Sequence, residues 1–342
     1  MTTLVDFSRP EDLVATAPPE RRGIGRDEVR MLVSSADGHH HATFRDLPRF
    51  LSRGDVVVVN RSATLPASLP GNFSGGHFLL NVSTVFATGL VVAEPRWSAA
   101  RPGPMPLEAD STVVVAGAPA RLLAPYPGLP RLWFVAVDGD IGELMSRHGQ
   151  PIRYGYVAKE WPLEDYQTLF GTVPGSSEMP SAARPFTIGV VEQLATAGVI
   201  LADVVLHTGV SSLELDEPDI TRNPLLPEPY QVPARTAAAV NGARRSGHRV
   251  VAVGTTVVKA LESAWHDGAV KPARGFTRHF VHPGTGVHAV DGLLTGLHDP
   301  LTSHLALLQA VGGDDLIASA YQELVANGYL WHEFGDSHLI LP

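Results

Sequence analysis

The chain has 342 residues, 44% of them hydrophobic, which is enough for one large or two medium domains with a sizeable core. It contains no cysteine, which excludes disulfides, thiolate metal sites and a cysteine nucleophile and fits a reducing cytoplasm. A formal net charge of −9 argues against broad nonspecific binding of nucleic acid and leaves room only for a local basic patch.

Residues 1–30 are mostly irregular, and their start has no basic region followed by an apolar run, so no secretory signal is expected. Val29–Ser34 read as a strand, Asp37-Gly38 as a turn, and His39-His40-His41 as a solvated hairpin edge. In a strand neighbouring side chains point to opposite faces, so three adjacent histidines are a poor metal set. Phe44–Leu51 read as a helix and Val56–Val59 as a buried strand that ends at Asn60. Short strands follow at His77–Val82, Gly89–Glu94, Thr112–Ala116, Ala120–Ala124 and Leu132–Val137, separated by Gly- and Pro-rich breakers. That spacing predicts a small antiparallel β-barrel over residues 64–140, inserted in an α/β main domain made of residues 1–63 and 141–342 with a mixed sheet. Asp140, with Glu143 three residues on, opens a helix.

Beyond Gln150 strands and helices alternate. We expect a helix at Thr187–Ala197, a strand at Val199–Leu206 running into His207, and a helix at Thr236–Arg245. A short strand is expected at His279–Val281, stopped by His282-Pro283-Gly284, then helices at Thr302–Val311 and Asp314–Ala326 and a last strand at Leu339–Leu341. Within this half, His248–Ala264 stands out. Val250–Val253 form a buried strand, Gly254-Thr255-Thr256 break it, and Val257, Ala260, Leu261, Ala264 and Trp265 recur at helical spacing up to Asp267-Gly268. A strand turning through Gly-Thr-Thr into a helix leaves free backbone N–H groups that suit an anion or polar ligand, although an N-cap and a tight turn account for the same residues. No internal repeat is present, and no apolar run is long enough to span a bilayer.

Several polar residues thus sit where strands end: Asn60, His207, Gly254-Thr255-Thr256 and His282. In α/β sheets ligands bind beyond the carboxyl ends of strands. GxGxxG, GxxxxGK[ST], HExxH and GxSxG are all absent, which takes weight from the dinucleotide, P-loop, zincin and serine-hydrolase readings.

A set of segments, taken together, resembles the S-adenosylmethionine:tRNA ribosyltransferase-isomerase family of the queuosine pathway. They are Pro18–Arg21, GDVVVVN (Gly54–Asn60), GGHFLLNV (Gly75–Val82), DYQTLF (Asp165–Phe170), PFT (Pro185–Thr187) and VVLHTG (Val204–Gly209). AVGTTVVKALES (Ala252–Ser263), HPG (His282–Gly284), Val290–Gly313 and FGDSHLI (Phe334–Ile340) complete the set, in the family's order from end to end.

Polar signature positions depart from the family pattern. Asn-Asp-Thr-Arg has become Asn60-Arg61-Ser62-Ala63, and a histidine has become Pro185 within Met179–Thr187. Gly-Thr-Phe has become Ser211-Ser212-Leu213, two histidines are lost across Arg222–Glu228, an arginine is Lys259, and Asn-Phe-His-Leu-Pro-Lys-Ser is Gly296–Thr302. Core and turn positions match while these change, as in a paralogue with altered chemistry or an altered acceptor.

The resemblance implies an enzyme with S-adenosylmethionine as co-substrate and no metal. The sulfonium acidifies the ribose 5′ C–H, a base removes that proton, adenine leaves, and the opened sugar alkylates the amine of 7-aminomethyl-7-deazaguanine in tRNA. Such chemistry needs a base, a proton donor to adenine, and a carboxylate or aromatic pocket for the sulfonium. His207, His298 and Asp165 are the candidates for proton transfer. Asn60, Tyr166, Gly254, Thr255, Thr256, Glu262 and Asp336 are the candidates for holding S-adenosylmethionine. The sequence does not divide roles further. Arg21, Arg22, Arg26 and Arg30, or Arg244, Arg245 and Arg249, offer a patch for tRNA. A small-molecule acceptor in place of tRNA and a non-catalytic binder of ligand or RNA are the other readings. A cytoplasmic monomer or homodimer away from membranes is expected.

Overall fold

The structure is a computed structural model, and it describes residues 4–342 apart from 88, 104, 158 and 211–224. The altered positions Ser211-Ser212-Leu213 and Arg222-Asn223-Pro224 lie outside the described residues.

In chain order, β1 (Arg30–Ser35) and β2 (Gly38–Thr43) form a hairpin, followed by β3 (Val56–Asn60) and the short β4 (Ser62–Thr64). Next come β5 (Ser68–Phe73), β6 (Gly76–Ala87), β7 (Leu90–Arg96), β8 (Thr112–Val115), β9 (Ala118–Tyr126) and β10 (Leu129–Val137). Helix α1 (Ile141–His148), β11 (Val173–Ser176), α2 (Ile188–Thr196), β12 (Ile200–Leu206), β13 (Glu228–Val232), α3 (Ala234–Arg245), β14 (Val250–Val253) and α4 (Thr255–Ser263) continue the chain. The rest is β15 (Trp265–His266), β16 (Ala269–Val270), β17 (Ala273–Thr277), β18 (Gly292–Thr295), α5 (Ser303–Gly312), α6 (Asp314–Ala326) and β19 (Ser337–Leu341).

The main sheet has nine strands in the order β17-β13-β12-β3-β14-β18-β19-β1-β2. Its middle, β12-β3-β14-β18, is parallel, so these four strands deliver their carboxyl ends to one rim. Val56–Val59 and Val250–Val253 are unbroken apolar runs because both faces of the sheet are covered. The period-2 alternation of strands divides them: Val56, Val58, Val250 and Ala252 pack toward α3, α4, α5 and α6, while Val57, Val59, Val251 and Val253 pack toward Phe44, Leu47 and α2. Strands from near the start of the chain pair with strands from its end, β3 with β12 and β14 and β1 with β19, so both chain ends share this sheet.

The six strands β5–β10 close into an antiparallel barrel in the order β10-β7-β6-β5-β8-β9, which leaves no sheet edge open. Leu69, Leu80, Val91, Val115, Leu122 and Val135 fill it, with Ile141 and Met145 of α1 packed into the same core. The architecture is therefore a mixed-sheet α/β body with a small antiparallel barrel, as the sequence pattern indicates.

Three local expectations are corrected. Asp267-Gly268 does not cap the long helix: α4 ends at Ser263, and the pair, with φ of 52° and 76°, makes the turn of the β15–β16 hairpin. Two successive positive φ angles are what an Asp-Gly hairpin turn requires. His279–Val281 is irregular, and the strand lies upstream at β17, where Arg274 and Phe276 alternate with half-buried neighbours. Phe44–Phe50 winds as a 3-10 helix, since Pro48 lacks the N–H that an α-helix would use there. Strands β5, β13 and β18 were not legible, because Pro70, Pro229 and a four-residue length hide them.

Candidate active site

A cavity opens at the rim where β12, β14 and β18 end. It is larger than the cleft beside it, about 170 against 60 Å³. The strand ends supply Thr208, Gly254, Thr255, Thr256, Thr295, Gly296, Leu297 and His298. Gly254 has φ +89° and ψ 154°, a conformation only glycine holds without strain, and it swings the chain from β14 into α4. Neither threonine caps the helix. The first intrahelical bond runs from Val257 N–H to Gly254 O, so the Thr255 and Thr256 amides precede it and have no intrahelical acceptor, and both residues line the cavity.

Asn60 lies behind this turn, fully buried. Its amide nitrogen donates to Leu206 O (2.8 Å) and Thr256 Oγ1 (3.3 Å), and its Oδ1 accepts from Ser62 N (3.0 Å) and Leu206 N (3.1 Å). Its hydrogen-bonding capacity is thus used inside the protein. It latches β3 to β12 and holds Thr256 in place.

His298 lines the cavity, with Nε2 2.9 Å from Thr295 Oγ1 and its ring 4.7 Å from that of His304. Burial, reinforced by the neighbouring His304, His332 and His338, holds its pKa well below that of a free imidazole. Burial and Lys259 lower His304 to about 4. Both are neutral at pH 7, and burial makes each a weaker proton acceptor than a free imidazole.

The opposite wall comes from loops. Tyr154 and Tyr156 follow α1, Tyr166 lies in a 3-10 turn (Leu163–Tyr166), Ser177–Ala182 follow β11, and His332 and Glu333 precede β19. Tyr154 donates its hydroxyl proton to Glu178, and Tyr156 donates to Glu333 Oε2 at 2.5 Å. Tyr156 stacks on His332 with ring centroids 4.2 Å apart and planes 11° from parallel. Burial raises Glu178 to about 7, with repulsion from Glu333 and Glu94 adding to it and the bond from Tyr154 opposing it. Burial also raises Glu333 and lifts Tyr154 and Tyr156 well above the phenol range. The barrel braces this wall: Arg96 lies 5.4 Å over the Tyr154 ring and is itself held by Glu94, while Ser177 Oγ donates to Ser83 O on β6.

Of the residues singled out in the sequence, Tyr166, Gly254, Thr255, Thr256 and His298 meet in this cavity. His207 stands one residue before Thr208. Its Nδ1 is 2.6 Å from Ser62 Oγ, which also bonds Ser176, and its ring packs against Gly175, where a Cβ would collide. Asp165 is turned to Arg21 at 3.4 Å, and its carbonyl accepts from Arg184. Glu262 accepts the His288 and Ala289 amides (2.9 and 2.7 Å) and so pins the 288–289 loop. Asp336 accepts the Arg30 and Leu330 amides (2.9 and 2.8 Å). His282 turns back on its own loop through Thr285.

The arginines proposed as basic patches are largely engaged: Arg21 with Asp165, Arg26 with Glu20, Arg30 with Asp336, Arg244 with Asp291 and Arg249 with Asp55. Arg22 donates to Phe334 O. Among the described residues no group of three His, Asp or Glu side chains is arranged to hold a metal, and no helix is long and apolar enough to cross a membrane.

Tyr154, Tyr156, Glu178, Glu333, His304 and His332 went unread in the sequence. One signal was available: three of the chain's seven tyrosines, Tyr154, Tyr156 and Tyr166, fall close together in a stretch with no periodic pattern.

A model of the queuosine biosynthesis protein family matches residues 2–340. An S-adenosylmethionine:tRNA ribosyltransferase-isomerase of Anaeromyxobacter dehalogenans is 35% identical, with 98% of each chain covered. The enzyme of that name from Thermus thermophilus is also 35% identical, again over 98% of each chain. The crystal structure of an S-adenosylmethionine tRNA ribosyltransferase from Thermotoga maritima superposes with a TM-score of 0.55 at 26% identity, covering 98% of this chain and 99% of that one.

Proposed function

The chain belongs to the queuosine biosynthesis protein family, and on that premise we propose that it moves and rearranges the ribosyl group of S-adenosylmethionine onto 7-aminomethyl-7-deazaguanine in tRNA. The observation that carries the reading is the cavity itself. At the carboxyl rim of a parallel sheet it joins free amides at a Gly-Thr-Thr turn, a neutral imidazole, and a wall of tyrosines and carboxylates.

In this reading the Thr255 and Thr256 amides and hydroxyls bind a polar or anionic end of S-adenosylmethionine, and Tyr166 packs beside it. His298, neutral and recessed, is the base for the ribose 5′ proton. Asn60 and His207 act as positioning residues, through Thr256 and Thr208. Asp165, Glu262 and Asp336 hold the loops that shape the wall. Residues 64–140 act as an inserted domain that braces the Tyr154 wall, with 1–63 and 141–342 as the body. We propose action in the cytoplasm, as monomer or homodimer, without a metal.

The test incubates the protein with S-adenosylmethionine and tRNA bearing the aminomethyl-deazaguanine, then analyses digested nucleosides by mass spectrometry. The reading expects epoxyqueuosine, with adenine and methionine released. Adenine release without a modified nucleoside would replace tRNA by a small-molecule acceptor or none. Inertness would make the chain a binder only.

A further inference from the structure

Glu178 and Glu333 are unusual neighbours. They reach the same cavity from two loops, and among the described residues neither has an ion-pair partner. Each instead accepts a hydrogen bond from a tyrosine. The two tyrosine rings stack with centroids 6.1 Å apart, and Tyr156 stacks on His332. Arg131, whose charge acts on Glu178, and Arg96, which lies over the Tyr154 ring, are both engaged by Glu94 at 3.0 and 3.3 Å. Recessing two carboxylates without a direct ion pair is costly, and protein interiors normally pair them.

A second observation in the same cavity points to a missing ligand. Tyr166 is 3% exposed, and among the described residues its hydroxyl has no hydrogen-bond partner. A buried orphan hydroxyl beside two unpaired carboxylates fits a site completed from outside. Two recessed carboxylates call for a positive group, and a wall lined by Tyr154, Tyr156 and Tyr166 suits a weakly hydrated organic cation better than an ammonium or a metal ion.

We propose that Glu178 and Glu333, oriented by the Tyr154 and Tyr156 hydroxyls, form a subsite for a sulfonium centre and make the cavity select a charged sulfonium nucleoside over its neutral thioether. This rests on the S-adenosylmethionine reading above and assigns specificity-determining residues within it. The two carboxylates supply the attraction. The tyrosine hydroxyls fix their orientation, and the rings exclude water from the sulfur.

The test compares S-adenosylmethionine with S-adenosylhomocysteine by isothermal titration calorimetry. The two differ at sulfur by one methyl and one charge and share the ammonium, carboxylate and adenosine. Wild-type protein is expected to favour the sulfonium tenfold or more. Glu178→Gln/Glu333→Gln should bring that ratio to within about threefold of unity while changing thioether affinity little. Should the double variant not fold, Glu333→Gln alone should lower the ratio in the same direction. A wild-type ratio near one, or a ratio that the substitutions leave unchanged, overturns the subsite while leaving S-adenosylmethionine as ligand. Failure of both ligands to bind overturns the functional reading and the subsite together.

Discussion

The cavity has two walls built by different means. One is the rim of the parallel sheet, where Gly254, Thr255, Thr256, Thr295 and His298 stand at strand ends and Asn60 ties two strands behind them. The other is a set of loops, 150–157, 177–182 and 332–333, carrying Tyr154, Tyr156, Glu178 and Glu333 and braced by the barrel through Arg96 and Ser83. The rim is part of the hydrophobic core's own geometry, so it positions groups at little cost in conformational entropy. The loop wall has recessed polar groups held mainly by each other and carries most of the charge. On the proposed reading, the rim fixes where the ligand lies, while the loops decide which ligand it is. The contrast also predicts that damage to the rim appears as lost stability and damage to the loops as lost binding.

The largest effect on the rim is expected from Asn60→Ala. It leaves the Leu206 and Ser62 backbone groups unpaired in the core and frees Thr256, and should cost about 3 kcal/mol in urea unfolding. S-adenosylmethionine affinity should fall with it. A loss under about 1 kcal/mol would mean that the latch is not what holds the rim.

Gly254→Ala comes next. The added Cβ has room, its nearest neighbour being Ala182 Cβ at 3.4 Å, so the cost is the backbone's positive φ of 89°. We expect about 1–3 kcal/mol of destabilisation, and a neutral result would remove the strain argument.

A smaller rim effect follows from pH. His338, on β19 beside β18, is fully buried and lowered by burial to about 3. A folded pKa below the unfolded value means that the unfolded chain binds more protons. Stability is therefore full above about pH 6.5 and declines as pH falls toward 3. By pH 5.5 the loss from this residue should be roughly 1 kcal/mol. His338→Gln should flatten that slope in urea titrations at stepped pH, and an unchanged slope would assign it to other groups.

On the loop wall, Tyr154→Phe removes one hydroxyl and keeps the ring. We expect less than about 1 kcal/mol in stability and a several-fold weaker S-adenosylmethionine affinity, because Glu178 loses the bond that orients it. The reverse pattern, lost stability with intact binding, would break the division between the walls.

The same division explains what the sequence disclosed. Val56–Val59 and Val250–Val253 are unbroken apolar runs, and the polar residues closing them mark the rim directly. The barrel was legible because its strands alternate between regular breakers. Asn60 was found for its place at a strand end, although its capacity is taken up by the protein. Glu262 and Asp336 sit in matched segments for the same kind of structural reason: each pins backbone amides of a loop. Tyr154, Glu178 and Glu333 have no periodicity around them, and only the fold brings them together. Beside Pro185, where the chain departs from the family pattern, Arg184 is tied into the protein. Arg184 is buried but donates to Asp165 O and pairs with Glu20 at 3.0 Å.

The most direct test of the account is the structure of the protein crystallised with S-adenosylmethionine. The account predicts ligand density between the Thr255–Thr256 turn and the Tyr154–Tyr156 wall, the sulfonium against the Glu178 and Glu333 carboxylates and the ribose facing His298. Density instead in the neighbouring cleft, beside Lys259 and Arg278, with the tyrosine wall empty, would contradict it.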